Sequence, residues 1–445
     1  MKAIRHHNSI YSLLNNPIIV LIIIITISIG THMLYFYLVK EAYQGPVYGP
    51  YHRPAKYLLD SKGTALFVDT ASHRYSLAYL PPIYTFFLAA SYLIFGETWF
   101  GIAVSLSIVC GLVGFVSYLL GRKIFSNAEG VLAGLWVIFY PYYFFQGSPP
   151  NIYETMLFTL LLLASVWFLL QMQENPTGKN VIPAAFFLGL TALCRPKIVF
   201  LIPFILVWYY LTSNIPKKIW VRQSFALSIV FLALLAPWTI RNLLTKGILA
   251  PFGSYGSSNL YKAYHPMMLE YYQGTGPFTD ISLKSKSSDR VYEQGPLWDE
   301  QQTQGMSIEQ ARAWDKSMPW SYWINHPDQF VKLTAFKVIS LWSWRLEPVT
   351  LSRIKQFIYF FSYVPILILG LVGFWLFRDK FSQTSLFITL FISFTFYAAI
   401  TYGVTRYRAP LDVYLIILAS AASIYIIQKI LQKIFRNKQS PANAA

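Results

Sequence analysis

Charge is scarce in this chain of 445 residues: 12% of them are Asp, Glu, Lys or Arg, about half the share of a soluble domain. That excludes an ordinary soluble protein. Acids are the scarcer sign, 19 against 36 Lys and Arg, for a net charge of +17. An excess of this size suits a nucleic-acid binder, but the basic residues fall in short clusters between apolar runs, as membrane orientation requires. Nucleic acid is therefore not an expected partner. Cysteine is nearly absent, with Cys110 and Cys194 alone, both in or at the end of apolar stretches and without CxxC spacing. Neither a zinc site nor a disulfide framework is indicated. No GxxxxGK[ST] loop, GxSxG elbow or HExxH pair occurs, so nucleotide-driven work, elbow-serine hydrolysis and zinc peptidase chemistry gain no support. Internal repeats and heptads are missing too, and the polar tail RNKQSPANAA is expected to be disordered.

What the chain does have is apolar and aromatic residue, 55% and 18% respectively, arranged in runs close to the length that crosses a bilayer. Ten spans are expected: Pro17 to Tyr37, Phe100 to Leu120, Val131 to Phe145, Tyr153 to Leu170, Ile182 to Leu193, Ile198 to Leu211, Phe225 to Ile240, Phe357 to Phe377, Ser385 to Tyr402 and Pro410 to Ile427. The first follows Lys2 and Arg5, is too long for a signal-peptide core and lacks a small-residue cleavage site, so it reads as an uncleaved anchor. Short connections on one side carry Arg122 and Lys123, Lys179, Lys217 with Lys218 and Arg222, and Arg378 with Lys380, and the tail adds Lys429 to Lys438. By the positive-inside rule this side, with both termini, is cytoplasmic.

The opposite side carries two long connections, residues 38–98 and 241–355, and the second holds ten of the nineteen acids. Counting Leu80 to Phe95 as a crossing would invert every later loop, so that segment reads as interfacial or re-entrant. The second connection is too long for a structureless loop. With Trp298, Trp314, Trp320 and Trp323 it is expected to fold as a small outer subdomain, partly helical near SIEQARAWDKSM. The organisation is therefore an all-α polytopic protein with an N-terminal transmembrane module (1–240), an outer subdomain (241–355), C-terminal transmembrane helices (356–430) and a tail (431–445).

Ionisable residues at span ends are costly enough to need a reason. Glu154, Arg195, Lys197, Arg241, Arg406, Arg408 and Asp412 come from separate parts of the chain but share the outer face. Converging guanidinium groups suit a phosphate, which each can grip with two parallel hydrogen bonds; singly, each arginine can equally snorkel or pair with a carboxylate. Glu154 either balances Arg195 near a helix N-terminus or serves as a metal ligand or acid/base group. In the first outer loop, Asp60, Asp69 and His73 read as solvated charge, Lys56 as a lone lysine in a wet loop that is nonetheless within reach of a phosphate, and Tyr48, Tyr51, Pro46 and Pro54 as an ordered turn at the interface.

The order of YHRPAKYLL, PPIYTFFLAASYLIFG, YLLGRKIFSN, YPYYFFQGSPPNIYE, GLTALCRPK, APWTIRNLLTKG and RYRAPLDVYLIILA resembles the polytopic GT-C glycosyltransferases that use lipid-phosphate sugars, the branch similar to bacterial protein mannosyltransferases and the lipid A aminoarabinose transferase. The resemblance covers residues 46–412. It implies a GT-C-like fold and transfer of a sugar from a polyprenyl-phosphate donor to an acceptor hydroxyl on a lipid, glycan or protein. The reaction would be direct displacement at the extracytoplasmic face of a bacterial-type inner membrane. Carried over residue by residue, Glu154 resembles the acidic position, Arg195 the arginine of the R-P turn, Arg241 and Asn242 the W-x-x-R-N element, and Arg406 and Arg408 the R-Y-R-x-P element.

The resemblance implies phosphate binding by Arg195, Arg241, Arg406, Arg408 and Lys56, and it leaves room for a divalent cation, Mg or Mn, with Glu154 as ligand. The family's acid in the first outer loop is missing, since Val47 stands near its place in QGPVYGPYHRPA. Glu41 is the first substitute as catalytic base, with Glu154, Asp60 and Asp69 as alternatives. A flippase of an anionic lipid-linked saccharide should carry midplane polar residues or inverted repeats, and a polysaccharide polymerase or ligase should lack the PPIY segment and the R-P turn. The transferase reading accommodates all of these features.

Overall fold

The computed structural model describes residues 14–39, 47, 49–71, 75–146, 153–253, 263–264, 268–269, 272, 317, 321–346 and 353–439. Glu41, His73, Arg74, Trp298, Trp314, Trp320, all of SIEQARAWDKSM but Ser317, and the tail after 439 lie outside them. The described residues form helices and no strands, the solution that satisfies backbone polar groups inside lipid.

Helix α1 (Pro17–Val39) is followed in the first outer loop by α2 (His52–Asp60), a 3-10 turn (Thr64–Leu66) and α3 (Pro82–Phe95). The expected turn at Tyr51 is thus the start of a short helix. The PPIY segment is one continuous helix rather than a re-entrant loop, because Pro82 stands in its first turn, where no amide partner is needed. Its 14 residues span about 21 Å, less than the ~30 Å hydrocarbon core. Next come α4 (Trp99–Ile124), α5 (Asn127–Ile138), α6 (Pro141–Gln146), α7 (Thr155–Glu174) and α8 (Gly178–Cys194). A 3-10 turn (Pro196–Phe200) then leads into α9 (Leu201–Thr212), and α10 (Lys217–Lys246) ends on left-handed Gly247. In the outer region α11 (Pro327–Leu341) is described, then α12 (Arg353–Leu376), α13 (Phe381–Ile400) and α14 (Thr405–Gln439).

Each of the ten expected spans has a helix. Among the described residues, seven helices are long and apolar enough to cross a membrane; three expected spans instead coincide with shorter apolar helices, Asn127–Ile138, Gly178–Cys194 and Pro196–Thr212. The expected span from Val131 to Phe145 is the one that divides. Pro141 has no amide hydrogen and disfavours helix at the preceding residue, so α5 stops at Ile138 and α6 starts afresh.

Helices α4, α7 and α14 form the interior, while α1, α10 and α12 expose residues such as Ile18, Leu34, Leu232, Ile368, Leu371 and Trp375. An apolar exterior around a buried interior is what a bilayer solvates, and the protein is an integral membrane protein. Close backbone approach at two crossings depends on glycine: a Cβ on Gly130 of α5 would lie 2.6 Å from the Tyr118 carbonyl oxygen of α4, and one on Gly373 of α12 would overlap that of Leu418 in α14. Small residues substitute for a hydrophobic driving force where lipid is the solvent.

Replacing Gly373 by valine is expected to cost about 1–3 kcal/mol through overpacking, read as a lowered Tm of the detergent-solubilised protein. An unchanged Tm would show that α12 and α14 separate freely.

Candidate functional site

Three helix ends meet at the end of the bundle that also carries the first outer loop. Glu154 caps the start of α7. Arg195 closes α8, and because Pro196 follows, its backbone is extended (φ −153°, ψ 114°), as the steric demand of a proline ring imposes on the residue before it. That turns the side chain off the helix and onto Glu154: Arg195 Nε donates to Glu154 Oε1 at 2.7 Å, with both side chains under a tenth exposed. Arg406, in the first turn of α14, lies with its guanidinium carbon 4.3 Å from the centre of the Tyr153 ring and 5.8 Å from that of Tyr407. Arg195 packs on the same Tyr407 ring at 4.9 Å.

Lys197 completes the group. Its Nζ donates to the Tyr407 carbonyl oxygen at 3.0 Å and sits among the rings of Phe394 (4.4 Å), Phe158 (4.8 Å) and Tyr407 (5.3 Å). From the first outer loop, buried Tyr51 packs edge-on against Tyr84 at 4.9 Å. Burial, and next the charge of Glu154, raise the Tyr51 phenol well above its ordinary pKa, so it stays a donor. Burial pushes the Glu154 carboxyl up, but Arg195, then Arg406 and Lys197, with its own amide, outweigh that and hold it below its ordinary value.

The site therefore sets two guanidinium groups and the buried Lys197 amine against one carboxylate, and both arginines keep unused donors. Among the described residues, Arg195 Nη1 is buried without a hydrogen-bond partner, and Arg406 makes no hydrogen bond or ion pair, only ring contacts. A cation in the first turn of a helix also opposes the helix dipole. Such an arrangement has the donors and charge that suit an anion. Among the described residues no group of three His, Cys, Asp or Glu is gathered, and Glu154, the expected metal ligand, is flanked by two guanidinium groups.

The other expected phosphate ligands lie elsewhere. Arg408 is fully buried and its donors are used within the protein: Nε to Asp412 Oδ1 (2.8 Å), Nη1 to the carbonyl oxygens of Ser343 (2.9 Å) and Leu341 (3.3 Å), and Nη2 to Asp412 Oδ2 (3.4 Å) and the Tyr359 hydroxyl. Tyr140 also donates to Asp412 at 3.0 Å. Arg406 and Arg408 are separated by two positions on a helix, so they diverge.

Arg241 donates to the carbonyl oxygens of Ala65 (2.6 Å) and Leu66 (3.2 Å), to Asn242 Oδ1 (3.0 Å) and to Asp69 Oδ2 (2.8 Å). Lys56 forms an exposed pair with Glu97 at 2.8 Å. Asp69, expected as a solvated loop charge, is instead buried: it accepts from Ser76 (2.8 Å) and the Leu77 amide (3.0 Å) and lies 3.4 Å from Lys246. Local loop composition carried no sign of that, whereas the W-x-x-R-N element held the partner. Tyr153, Tyr407 and the ring cage around Lys197 were likewise missed; the only signal was their position beside Glu154 and Arg406. Val47 is buried in the core, so the family's usual acidic place is filled by packing, and Glu41 lies outside the described residues.

Residues 80–240 match the family model described as dolichyl-phosphate-mannose-protein mannosyltransferase. No curated protein matches the chain in sequence. Among solved structures, the chain is similar to the oligosaccharyltransferase of Archaeoglobus fulgidus in its apo form (TM-score 0.57, 14% identity, 96% of this chain and 52% of that one). It is also similar to AglB from Archaeoglobus fulgidus in complex with an inhibitory peptide and a dolichol-phosphate (0.52, 12%, 96% and 52%). ArnT from Cupriavidus metallidurans bound to undecaprenyl phosphate aligns at a TM-score of 0.42 with 13% identity over 90% of this chain and 77% of that one. The chain spans about half the length of the archaeal proteins. The fold is that of the GT-C glycosyltransferases, as the order of motifs implied.

Two predictions separate the arginines and test the loop. Arg408→Met strands the buried Asp412 and is expected to cost about 3–5 kcal/mol, whereas Arg406→Gln, which removes a cation with no protein acceptor, leaves Tm unchanged or raised; thermal unfolding of both variants decides. For Asp69, burial raises the carboxyl, but the hydrogen bonds from Arg241 and Ser76 and the charges of Arg241 and Lys246 hold it below its ordinary 3.8. A lowered carboxyl stabilises above the unfolded-state value and loses that contribution as pH falls through the folded one. The Tm gap between wild type and Asp69→Asn should therefore stay constant from about pH 5 upward and close as pH drops below 3.8. A gap independent of acid would exclude this carboxylate as the clasp.

Proposed function

We propose that this GT-C-fold protein is a glycosyltransferase that moves a sugar from a polyprenyl-phosphate donor to an acceptor hydroxyl. The reaction runs at the extracytoplasmic face of a bacterial-type inner membrane, with both termini cytoplasmic. The observation that carries the reading is the pair of unspent guanidinium edges, Arg195 Nη1 and Arg406, converging beside one buried carboxylate at a single end of the helix bundle. The family match over residues 80–240 and the archaeal relative held with a dolichol-phosphate support a lipid phosphate as the anion. The basic clusters in the short connections of the other side support the orientation.

In this reading the donor's phosphate lies against Arg195 and Arg406, and its prenyl chain stays in the bilayer. An acceptor hydroxyl attacks the anomeric carbon, and the phosphate leaves with the bonding electrons while the two guanidinium groups neutralise its growing charge. Of the carboxylates among the described residues, Glu154 is the one placed to take the acceptor's proton. Arg408 and Arg241 hold the frame around the site, and Lys56 holds α2 to the start of α4.

The test is transfer of radiolabelled sugar from a panel of polyprenyl-phosphate donors by the purified full chain in lipid, beside Arg406→Ala. Sugar release or transfer in wild type, reduced at least about a hundredfold in the variant, is the expected result. Absence of turnover and of donor binding across the panel would defeat the reading.

A further inference from the structure

Arg195 faces two ways. One edge, Nε, is 2.7 Å from Glu154 Oε1, while Nη1 on the other edge is buried and unpartnered. An empty buried donor is expensive, and a guanidinium holds its five donors in a rigid plane, so any anion that takes the second edge acts on the first. The other groups facing Glu154 are Tyr51 and Tyr84 from the first outer loop, Cys194 at the end of α8, Lys197 on the 3-10 turn, and Arg406 from α14, the one other guanidinium and one that the phosphate itself would engage. Lys197 is engaged by the Tyr407 carbonyl and three rings.

We infer that Glu154 is an internal anion competing with the donor phosphate for Arg195, so that donor binding itself releases Glu154 to act as base. The inference rests on the function proposed above. Before the donor arrives, the ion pair keeps the carboxylate occupied and neutralises part of the site. When the phosphate lands on Nη1 and Arg406, the shared guanidinium shifts toward it, and the weakened ion pair together with the phosphate's own negative charge raises the affinity of Glu154 for a proton. The acceptor's O–H proton passes to Glu154 and its oxygen lone pair forms the new bond to the anomeric carbon. The bond from that carbon to the phosphate oxygen breaks, with its electron pair staying on the phosphate. Glu154 returns the proton to water once the polyprenyl phosphate departs and Arg195 re-forms its pair. Base activation is thus tied to an occupied donor site, which limits activation of adventitious nucleophiles while the site is empty.

The competition predicts opposite effects on binding and turnover in one variant. Farnesyl phosphate, a short polyprenyl phosphate, is titrated calorimetrically into the detergent-purified full chain, with inorganic phosphate as a headgroup-only control, and sugar transfer is measured in parallel. Glu154→Gln is expected to bind farnesyl phosphate about tenfold more tightly than wild type while turnover falls by about 10²–10⁴; Arg195→Ala loses both. Weaker binding in Glu154→Gln, in parallel with Arg195→Ala, would make Glu154 a mere positioner of the arginine and overturn the inference, as would retained turnover. Should Glu154→Gln fail to fold, Glu154→Asp, which lengthens the ion pair by one methylene, carries the same expectation at smaller amplitude. Wild type that binds no farnesyl phosphate defeats the parent reading instead, so the two failures are distinct.

Discussion

Removing an ion from water costs several kcal/mol unless its partners replace the lost hydration, and this chain accepts that cost at one end of its bundle with an excess of positive charge left over. Around Glu154, cations outnumber the one acid. A buried ion pair built only for stability would be balanced, as Arg408 and Asp412 are: every strong donor there meets an acceptor, and neighbouring tyrosines close the network. The imbalance among the described residues at Glu154 is what the proposed phosphate would offset. In that reading the packing of α7, α8 and α14 holds an electrostatic deficit of anion at a fixed place.

The four outer arginines, alike in sequence, divide accordingly. Arg241 and Arg408 are engaged by carbonyl oxygens and carboxylates and act as rivets, one joining the first outer loop to α10 and the other joining the end of α11 to α14. Arg195 is half engaged. Among the described residues Arg406 touches only rings, which orient a guanidinium face without using its donors.

Much of this was legible in the residues. Apolar length foretold a helix at each expected span, because lipid admits few alternatives to a helix, and the charges at span ends foretold that Glu154, Arg195 and Arg406 share one end of the bundle. The R-P dipeptide also foretold the extended turn that aims Arg195. What failed to show was pairing. Whether an arginine faces a carboxylate from a loop 172 residues away, as Arg241 does with Asp69, depends on tertiary proximity that no local pattern encodes. Arg406 and Arg408 were both expected to bind phosphate, but the helical backbone of RYR sends them apart. The division of the expected span Val131 to Phe145 was available in Pro141 and was outweighed by hydropathy.

The length of α14 has a consequence for the membrane itself. Between Asp412 and Lys429 the helix has no Asp, Glu, Lys or Arg, and from Arg406 to Lys429 it rises about 35 Å, close to the ~30 Å of hydrocarbon it must cross. With Arg406 and Lys429 near its two ends, the apolar stretch matches a bilayer of about that thickness. Because Arg406 rides on the first turn of that rod while Glu154 and Arg195 belong to other helices, the packing of α14 inside the bundle sets the register between the two arginines.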